Sequence, residues 1–174
     1  VNMLGDVHGG AGEQCLEMIQ KVQELLDQGG RLEESVSEEI ANHRQTKGKY
    51  IPGFGHRFHK PEDPRAPRLM KLVSDAEGDK IVSGNFMRIG LEIQRQLSQG
   101  KSTGIAMNID GATAVIFGEL GFAPPLARGL FCLSRSVGIL AHAWEQKNQG
   151  GRNKGPTPPE FLWNYSGKNP LEEG

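Results

Sequence analysis

Little in the sequence points to a membrane, a nucleic acid or an oxidising compartment. Only two cysteines occur among 174 residues, and Cys15 and Cys132 match no disulfide framework or metal-ligand spacing. No apolar run is long enough to cross a bilayer. The formal net charge is −1, which argues against a general electrostatic partner such as nucleic acid. We therefore expect a soluble, cytoplasmic protein.

Strand patterns are also nearly absent, and helical periodicity takes their place. Apolar residues recur at helical spacing from Cys15 to Leu26, which predicts a first amphipathic helix. Ser35 and Glu38 have the spacing of a capping box, so a second helix is predicted that ends at Gly48. The chain is therefore predicted to be all-α. Further helices are predicted over residues 67–76, 84–97, 111–120 and 125–146.

Three glycine-rich loops carry the titratable side chains that draw attention. They are His8-Gly9-Gly10-Ala11, residues 52–65, and Asn108-Ile109-Asp110-Gly111. Glycine permits tight turns and the close approach of a ligand. Taken singly, each loop has a simpler structural interpretation, because Asp110 fits an N-cap and Arg65 fits a solvated surface charge. Their occurrence together, in this order, changes the interpretation.

In order and in residue type, the three loops resemble the citrate synthase family. Its small domain carries a His-Gly-Gly-Ala-Asn-Glu-like block, a Gly-His-Arg…Asp-Pro-Arg block and an Asn-x-Asp block. Residues 133–138 and 141–146 resemble two further segments of the family, so the resemblance runs from Gly5 to about Gly167. It implies a citrate synthase-like helical fold, made of the small domain and part of the large domain.

The resemblance also implies a division of the chain. Residues 1–120 are expected to form a small-domain-like helical region with the three active-site loops. Residues 121–174 are expected to supply a long helix and tail that belong to the large domain and a dimer interface. The sequence opens at Val1 rather than Met and reaches the first loop almost at once. We therefore expect the N-terminal half of the large domain to be missing from it.

Individual side chains acquire roles through the same resemblance. Asp110 is expected to be the base that takes a proton from the acyl group, and His8 to hold the thioester enol oxygen. His56 is expected to hydrogen-bond the ketone or hydroxyl oxygen. Arginines bind carboxylates bidentately, and the substrate-binding candidates are Arg65, Arg135 and Arg152. For coenzyme A, the candidate contacts are Ile51, Pro52, Gly53, Phe54, Gly55 and Lys60.

Two positions depart from the family pattern. Gly12-Glu13 stands where Asn-Glu is usual. Residues 156–160 stand where the family's Arg-Pro-Arg stretch supplies an arginine to the neighbouring subunit's site, and no arginine occurs there. Arg152 or Lys154 is the candidate replacement. The tail at 149–156 and the Asn-Ile-Asp-Gly-Ala form of the third block are closer in appearance to bacterial citryl-CoA lyases.

The sequence therefore predicts a homodimeric enzyme that acts on citryl-CoA, or on acetyl-CoA plus oxaloacetate, with coenzyme A or acyl-CoA as substrate and no metal. Citryl-CoA lyase-type cleavage of a carbon–carbon bond is the first choice. Citrate or 2-methylcitrate synthase is the alternative. A non-catalytic homologue that binds acyl-CoA is the second alternative.

A metal-dependent phosphoesterase is a rival of another class. Gly5-Asp6-Val7-His8-Gly9 matches the first block of such enzymes, in which an Asp and a His begin a two-metal site. A Gly-Asn-His block is also needed, but Gly84-Asn85 is followed by Phe86. His56 and His59 supply one ligand pair, which is a weak signal. Metal content of the purified protein would separate the two classes.

Two histidines outside the loops are assigned structural positions. His43 lies among polar neighbours on a helix and is predicted to be exposed. His142 lies on the long apolar helix beside Trp144, where a core or interface histidine is predicted.

Overall fold

The computed structural model describes residues 9–59 and 62–150, and the described residues form six α-helices without a strand. The all-α prediction is confirmed. In the same residues, no helix has the length and apolarity needed to cross a membrane. The helices are α1 (Ala11–Asp27), α2 (Leu32–Thr46), α3 (Ala66–Gly78), α4 (Asn85–Ser98), α5 (Ile109–Glu119) and α6 (Pro124–Asn148).

The core is built around α1 and α5. α1 packs against α2, α4 and α5, and α5 also packs against α3 and α4. The predicted apolar stripe of α1 is buried, including Leu16, Ile19 and Val22, and it meets Ile89 and Val115 in one cluster. Burial of each such side chain contributes about 1.5–3 kcal/mol. The loops that precede α3 and α5 are thus attached to a well-packed scaffold.

The start of α2 differs from the prediction. α2 begins at Leu32, with Arg31 as its extended N-cap residue, and Ser35 lies inside the helix with 4% of its surface exposed. The capping-box prediction is therefore wrong. Leu32 packs against the core, and Glu33 and Glu34 place negative charge in the first turn, where the helix dipole favours it. Apolar packing and charge define this helix start without the serine.

One of the two structural histidines, His43, also differs from the prediction. His43 is only 5% exposed, and its Nε2 lies 3.2 Å from the carbonyl oxygen of Tyr50. Burial lowers the pKa of His43, and the Tyr50 carbonyl opposes that shift. His142 is exposed, and its Nδ1 lies 3.1 Å from Glu145 Oε2. The polar neighbours of His43 in sequence gave no sign of its contact with the chain beyond α2.

The chain divides into two compact units, residues 1–137 and 138–174. In the first unit, the start of α6 is anchored to α1, because Ala127 is buried and Arg128 forms an ion pair with Glu13. Glu13 belongs to the pair that departs from the family pattern. In the second unit the structure describes residues 138–150, where Trp144 is exposed and Lys147 Nζ lies 5.6 Å from its ring centroid.

Gly111→Ala tests how tightly the third loop is packed. A Cβ at Gly111 would lie 2.3 Å from the carbonyl oxygen of Gly53 and 2.8 Å from Met107 Cγ. Because one contact is backbone, we expect the free energy of unfolding to fall by about 1–3 kcal/mol in urea denaturation. Gly78→Ala is the control, since nothing lies within 4 Å of its Cβ position. The control should gain about 0.4–1 kcal/mol, and equal stability of the two variants would contradict the packing.

Candidate active site

Asn108 joins the second loop to the third. Its Oδ1 accepts hydrogen bonds from the backbone N–H groups of Asp110 (2.9 Å) and Gly111 (3.2 Å), so Asn108 is the N-cap of α5. Its Nδ2 donates to the carbonyl of Gly55 at 2.7 Å. Asp110 is not the N-cap that its sequence position allows, because Asn108 has that role. The side chain of Asp110 is therefore available for other contacts.

Backbone hydrogen bonds reinforce this junction. The Asn108 N–H donates to the Gly53 carbonyl at 3.0 Å, and the Gly55 N–H donates to the Ala106 carbonyl at 2.7 Å. Phe54 and Met107 form the antiparallel bridge between these two pairs. Gly53 has φ of 83°, a conformation that favours glycine. The second and third loops therefore form one local structure.

Asp63 links the second loop to the same helix start. Its carboxylate accepts hydrogen bonds from Arg65 Nε at 2.9 Å and Nη2 at 2.8 Å, and from the Ile109 N–H at 3.1 Å. The Arg65 guanidinium holds the pKa of Asp63 well below its usual range. Asp63 also raises the pKa of Arg65. This buried carboxylate is therefore ionised at neutral pH.

Asp110, Arg65 and Arg135 line one cavity of about 300 Å³. This volume falls at the lower end of small-molecule sites, about 300–1,000 Å³. Burial raises the pKa of Asp110 above its usual value, while the guanidinium groups of Arg65 and Arg135 act to lower it. Arg135 Cζ lies 4.9 Å from the Phe131 ring centroid, a distance at which cation and ring attract. The cavity combines a basic carboxylate with two carboxylate-binding groups.

His56 is oriented by the turn that follows it. The backbone N–H groups of Phe58 and His59 both donate to His56 Nδ1 at 3.0 Å. Because Nδ1 accepts, the proton of the neutral ring lies on Nε2. The ring therefore offers a hydrogen-bond donor at Nε2. Its charged form also acts to lower the pKa of Asp110, so the two groups sense each other electrostatically.

A larger cavity of about 930 Å³ lies on the other side of the second loop. Ile51, Phe54, Gly55 and His56 line it, together with apolar side chains from α4 and from the loop that precedes α5. Cations surround the same space, which suits an anionic ligand with apolar parts. The cationic lining residues are Arg44, Lys49, Arg57 and Lys101.

The structure brings some of the predicted site residues together and leaves others outside its described part. Asp110, Arg65 and Arg135 share one cavity, and His56 lies on the adjoining loop. Within the loop predicted to contact coenzyme A, Pro52 and Gly53 do not line the larger cavity, and Gly53 packs on Cys15 and Gly111 instead. His8, Lys60, Arg152 and Lys154 lie outside the described residues.

Several residues of the site carried no assigned role in the sequence prediction. Asn108 and Asp63 hold the loops, and their signals were the Asn-x-Asp and Asp-Pro-Arg blocks themselves. Arg44 and Lys101 reach the larger cavity from α2 and from the loop after α4. Both residues lie far from the second loop in sequence, so no local spacing pattern could have predicted their position.

Comparison with known proteins identifies the family. The model of the citrate synthase C-terminal domain matches residues 2–156. The chain belongs to the citrate synthase family. Citrate synthase from Acidithiobacillus ferridurans is 31% identical over 157 residues, covering 89% of this chain and 38% of that protein. Citrate synthase from Heyndrickxia coagulans is 32% identical over 149 residues, covering 83% and 36%.

The chain thus spans little more than a third of the length of these curated relatives. Among solved structures, citryl-CoA lyase from Hydrogenobacter thermophilus is similar, with TM-score 0.70, 30% identity, and coverage of 97% of this chain and 61% of that one. Citrate synthase from Thermotoga maritima has TM-score 0.63 and 28% identity, with coverage of 99% and 44%. Membership of the family displaces the phosphoesterase alternative, and in residues 9–59 and 62–150 no group of three or more metal-ligating side chains occurs.

The electrostatics of the smaller cavity predict the effect of removing Arg135. The Arg135 guanidinium acts to lower the pKa of Asp110, so Arg135→Gln should raise that pKa. A carbon-13 NMR titration of the Asp110 carboxyl measures it directly. Arg31→Gln is the matched control, since Arg31 is exposed and pairs with Glu34, and should leave the titration unchanged. An unchanged or lower pKa in Arg135→Gln would mean that the two groups do not face each other.

Proposed function

We propose that the protein forms or cleaves a carbon–carbon bond between an acyl-CoA thioester and an α-keto acid, and that citryl-CoA cleavage is its main activity. The observation that carries this proposal is the cavity that a half-buried carboxylate, Asp110, lines together with two arginines, and burial raises the pKa of that carboxylate. A carboxylate of raised pKa is a stronger base, and the arginines suit a substrate with carboxylate groups. Citrate or 2-methylcitrate synthesis is the alternative.

In the proposed reaction, Asp110 is the base. For condensation, Asp110 takes a proton from the carbon next to the thioester, and the resulting enol attacks the ketone carbon of the keto acid. His56 donates from Nε2 to the ketone oxygen as negative charge develops there. The alkoxide formed by condensation takes up a proton from water. Cleavage is the reverse: the hydroxyl proton passes to water, the carbon–carbon bond breaks to give the ketone and the thioester enolate, and the enolate carbon takes its proton from Asp110. His8 is proposed to hold the thioester oxygen.

Arg65 and Arg135 are proposed to bind the carboxylates of the keto acid. Coenzyme A is proposed to occupy the larger cavity, where Ile51 and Phe54 offer apolar contact and the cations of Arg44 and Lys101 meet phosphates. Lys60 is proposed as a further phosphate contact. His56 lines this cavity and also acts on the pKa of Asp110. This supports the proposal that the acyl group of a coenzyme bound there is presented to the base.

The assembly of the whole protein is part of the proposal. Residues 1–120 are proposed as the small-domain part, and residues 121–174 as part of the large domain and of a homodimer interface. The described side chains of α6 support this, since large apolar groups on it are exposed in the chain alone and apolar surface of that extent is normally covered. The exposed apolar residues of α6 are Leu126, Leu133, Val137, Ile139, Leu140 and Trp144.

Asp110→Asn tests the base. The amide keeps the shape of the side chain but cannot accept a proton, so turnover should fall roughly 10²–10⁴-fold while substrate affinity changes little. Formation of oxaloacetate from citryl-CoA by the complete protein measures turnover, and the binding affinity for citryl-CoA measures the second quantity. Asp75→Asn, which removes an exposed carboxylate paired with Lys71, should retain full activity. Near-normal turnover by Asp110→Asn would remove Asp110 from the base role.

The relative rates of cleavage and condensation test the effect of the arginine that residues 156–160 lack. Loss of one charge-assisted hydrogen bond to a substrate carboxylate removes about 1.5–3 kcal/mol of binding free energy. Free oxaloacetate should lose more affinity than citryl-CoA, whose coenzyme A part binds independently. We expect rapid cleavage of citryl-CoA and poor condensation of acetyl-CoA, or propionyl-CoA, with oxaloacetate. Tight oxaloacetate binding and fast condensation would favour the synthase alternative, and acyl-CoA binding without turnover the non-catalytic one.

Arg152 and Lys154 are the proposed replacements for the arginine that this segment lacks. If they bind substrate, replacing both with Ala should raise the Michaelis constants for oxaloacetate and citryl-CoA. Arg31→Ala, a change at an exposed arginine paired with Glu34, is the control for general loss of positive charge. Unchanged constants in the double variant would remove both residues from the site.

A further inference from the structure

Asp63 contacts both Arg65 and the start of α5, the helix that carries Asp110. Oδ1 accepts hydrogen bonds from Arg65 Nε (2.9 Å) and from the Arg65 backbone N–H (3.1 Å). Oδ2 accepts from Arg65 Nη2 (2.8 Å) and from the Ile109 N–H (3.1 Å). The side chain of Asp63 is 1% exposed, whereas that of Arg65 is 46% exposed. A fully buried carboxylate thus holds a half-exposed guanidinium and the first turn of α5.

We propose that Asp63 is a positioning residue for this reaction, because it fixes the Arg65 guanidinium and the backbone beside Asp110 in one geometry before substrate binds. The inference rests on the function proposed above. Asp63 itself touches neither substrate nor reacting atoms in this scheme. It acts through Arg65, the proposed carboxylate-binding group, and through Ile109, which precedes the base.

The geometry of the Arg65 contact explains why such a group is useful. A half-exposed arginine samples many rotamers, and ordering it on substrate binding costs conformational entropy. Two parallel bonds between a guanidinium and a carboxylate fix both the position and the plane of the guanidinium. Asp63 uses the Nε–Nη2 edge. A second bidentate contact at the Nη1–Nη2 edge is compatible with this arrangement, so the same arginine can bind a substrate carboxylate.

The contact with Ile109 connects the arginine to the base. Ile109 is the first residue of α5 and Asp110 the second, and a backbone N–H at such a position has no partner within the helix. Asp63 supplies that partner. Arg65 and Asp110 line the same cavity, so one carboxylate sets both of them relative to the space that the keto acid occupies.

If Asp63 only stabilised the local turn, a residue that keeps the turn would replace it without loss of activity. The hydrogen bonds of Asp63 show which substitutions separate this structural role from the positioning role. The hydrogen bond from the Arg65 backbone N–H to Asp63 Oδ1 closes a local turn that leads into α3. Serine can form that turn, more weakly, with its hydroxyl. Serine cannot hold a guanidinium in a two-bond fork. Asp63→Ser therefore keeps the turn and loses the positioning, whereas Asp63→Asn keeps the size and loses the charge.

Steady-state kinetics of the complete protein test the inference. We expect both variants to raise the Michaelis constant for the acid about 10- to 100-fold, with a smaller fall in the turnover number. In an Arg65→Gln background, either variant should add little further change in that constant, because coupled residues are not additive. Asp75→Asn is the matched control on α3 and should be unchanged. Thermal unfolding shows whether each variant is folded.

The pH profile supplies a readout that a structural role would not move. The charge of Asp63 raises the pKa of Asp110, so Asp63→Asn should shift the acid limb of kcat/KM to lower pH. The other groups that act on this carboxyl keep their charge in the variant. Those groups are Arg65 at the start of α3, Arg135 on α6 and His56 on the second loop. The nearby thiol of Cys15 on α1 stays neutral, because burial raises its pKa.

The outcomes distinguish the inference from the function on which it rests. An unmutated protein that neither forms oxaloacetate and acetyl-CoA from citryl-CoA nor condenses an acyl-CoA with oxaloacetate overturns the proposed function and the inference together. An active protein whose folded Asp63 variants have normal Michaelis constants and an unmoved acid limb overturns the inference alone. Loss of folding in both variants would assign Asp63 to the fold and also overturn it.

Discussion

The carboxamide of Asn108 is the contact on which the rest of the site depends. One side of it satisfies the backbone N–H groups of Asp110 and Gly111, and the other side holds the Gly55 carbonyl. It is the side-chain bond that joins the helix carrying the proposed base to the loop carrying His56, beside the backbone pairing between them. Asp63 adds a second polar link to the same helix start. Polar groups that are hydrogen-bonded on both sides specify one arrangement of a buried site.

Close packing behind the loops leaves no room for a side chain at Gly53 or Gly111. A Cβ at Gly53 would lie 2.5 Å from Cys15 Sγ, and Gly111 lies against the Gly53 carbonyl. Burial raises the pKa of the Cys15 thiol, and the charge of Asp110 raises it further. Cys15 thus stays a neutral thiol beside the proposed base.

The sequence was sufficient for the all-α class, for most helix positions and for the grouping of Asp110 with Arg65 and Arg135 near one cavity. Helical periodicity gives the first two, and the third comes from the resemblance to the citrate synthase family, since Arg135 lies outside the three loops. It failed where tertiary contacts outweigh local signals. Ser35 lies inside α2 because Leu32 packs on the core, and His43 is buried through a contact with Tyr50. Arg44 and Lys101 line the same cavity because α2 and the loop after α4 lie close together in the fold.

Amide hydrogen exchange tests most directly whether Asn108 and Asp63 hold the base in place before substrate binds. The N–H groups of a helix's first turn have no partner within the helix and normally exchange fast. In the ligand-free complete protein, the amides of Ile109, Asp110 and Gly111 should exchange as slowly as those of the buried part of α5, and Asn108→Ala should release Asp110 and Gly111. Fast exchange at all three amides in the unmutated protein, equal to that of exposed loop amides such as Ser102, would show that the site is not preorganised and would contradict the account.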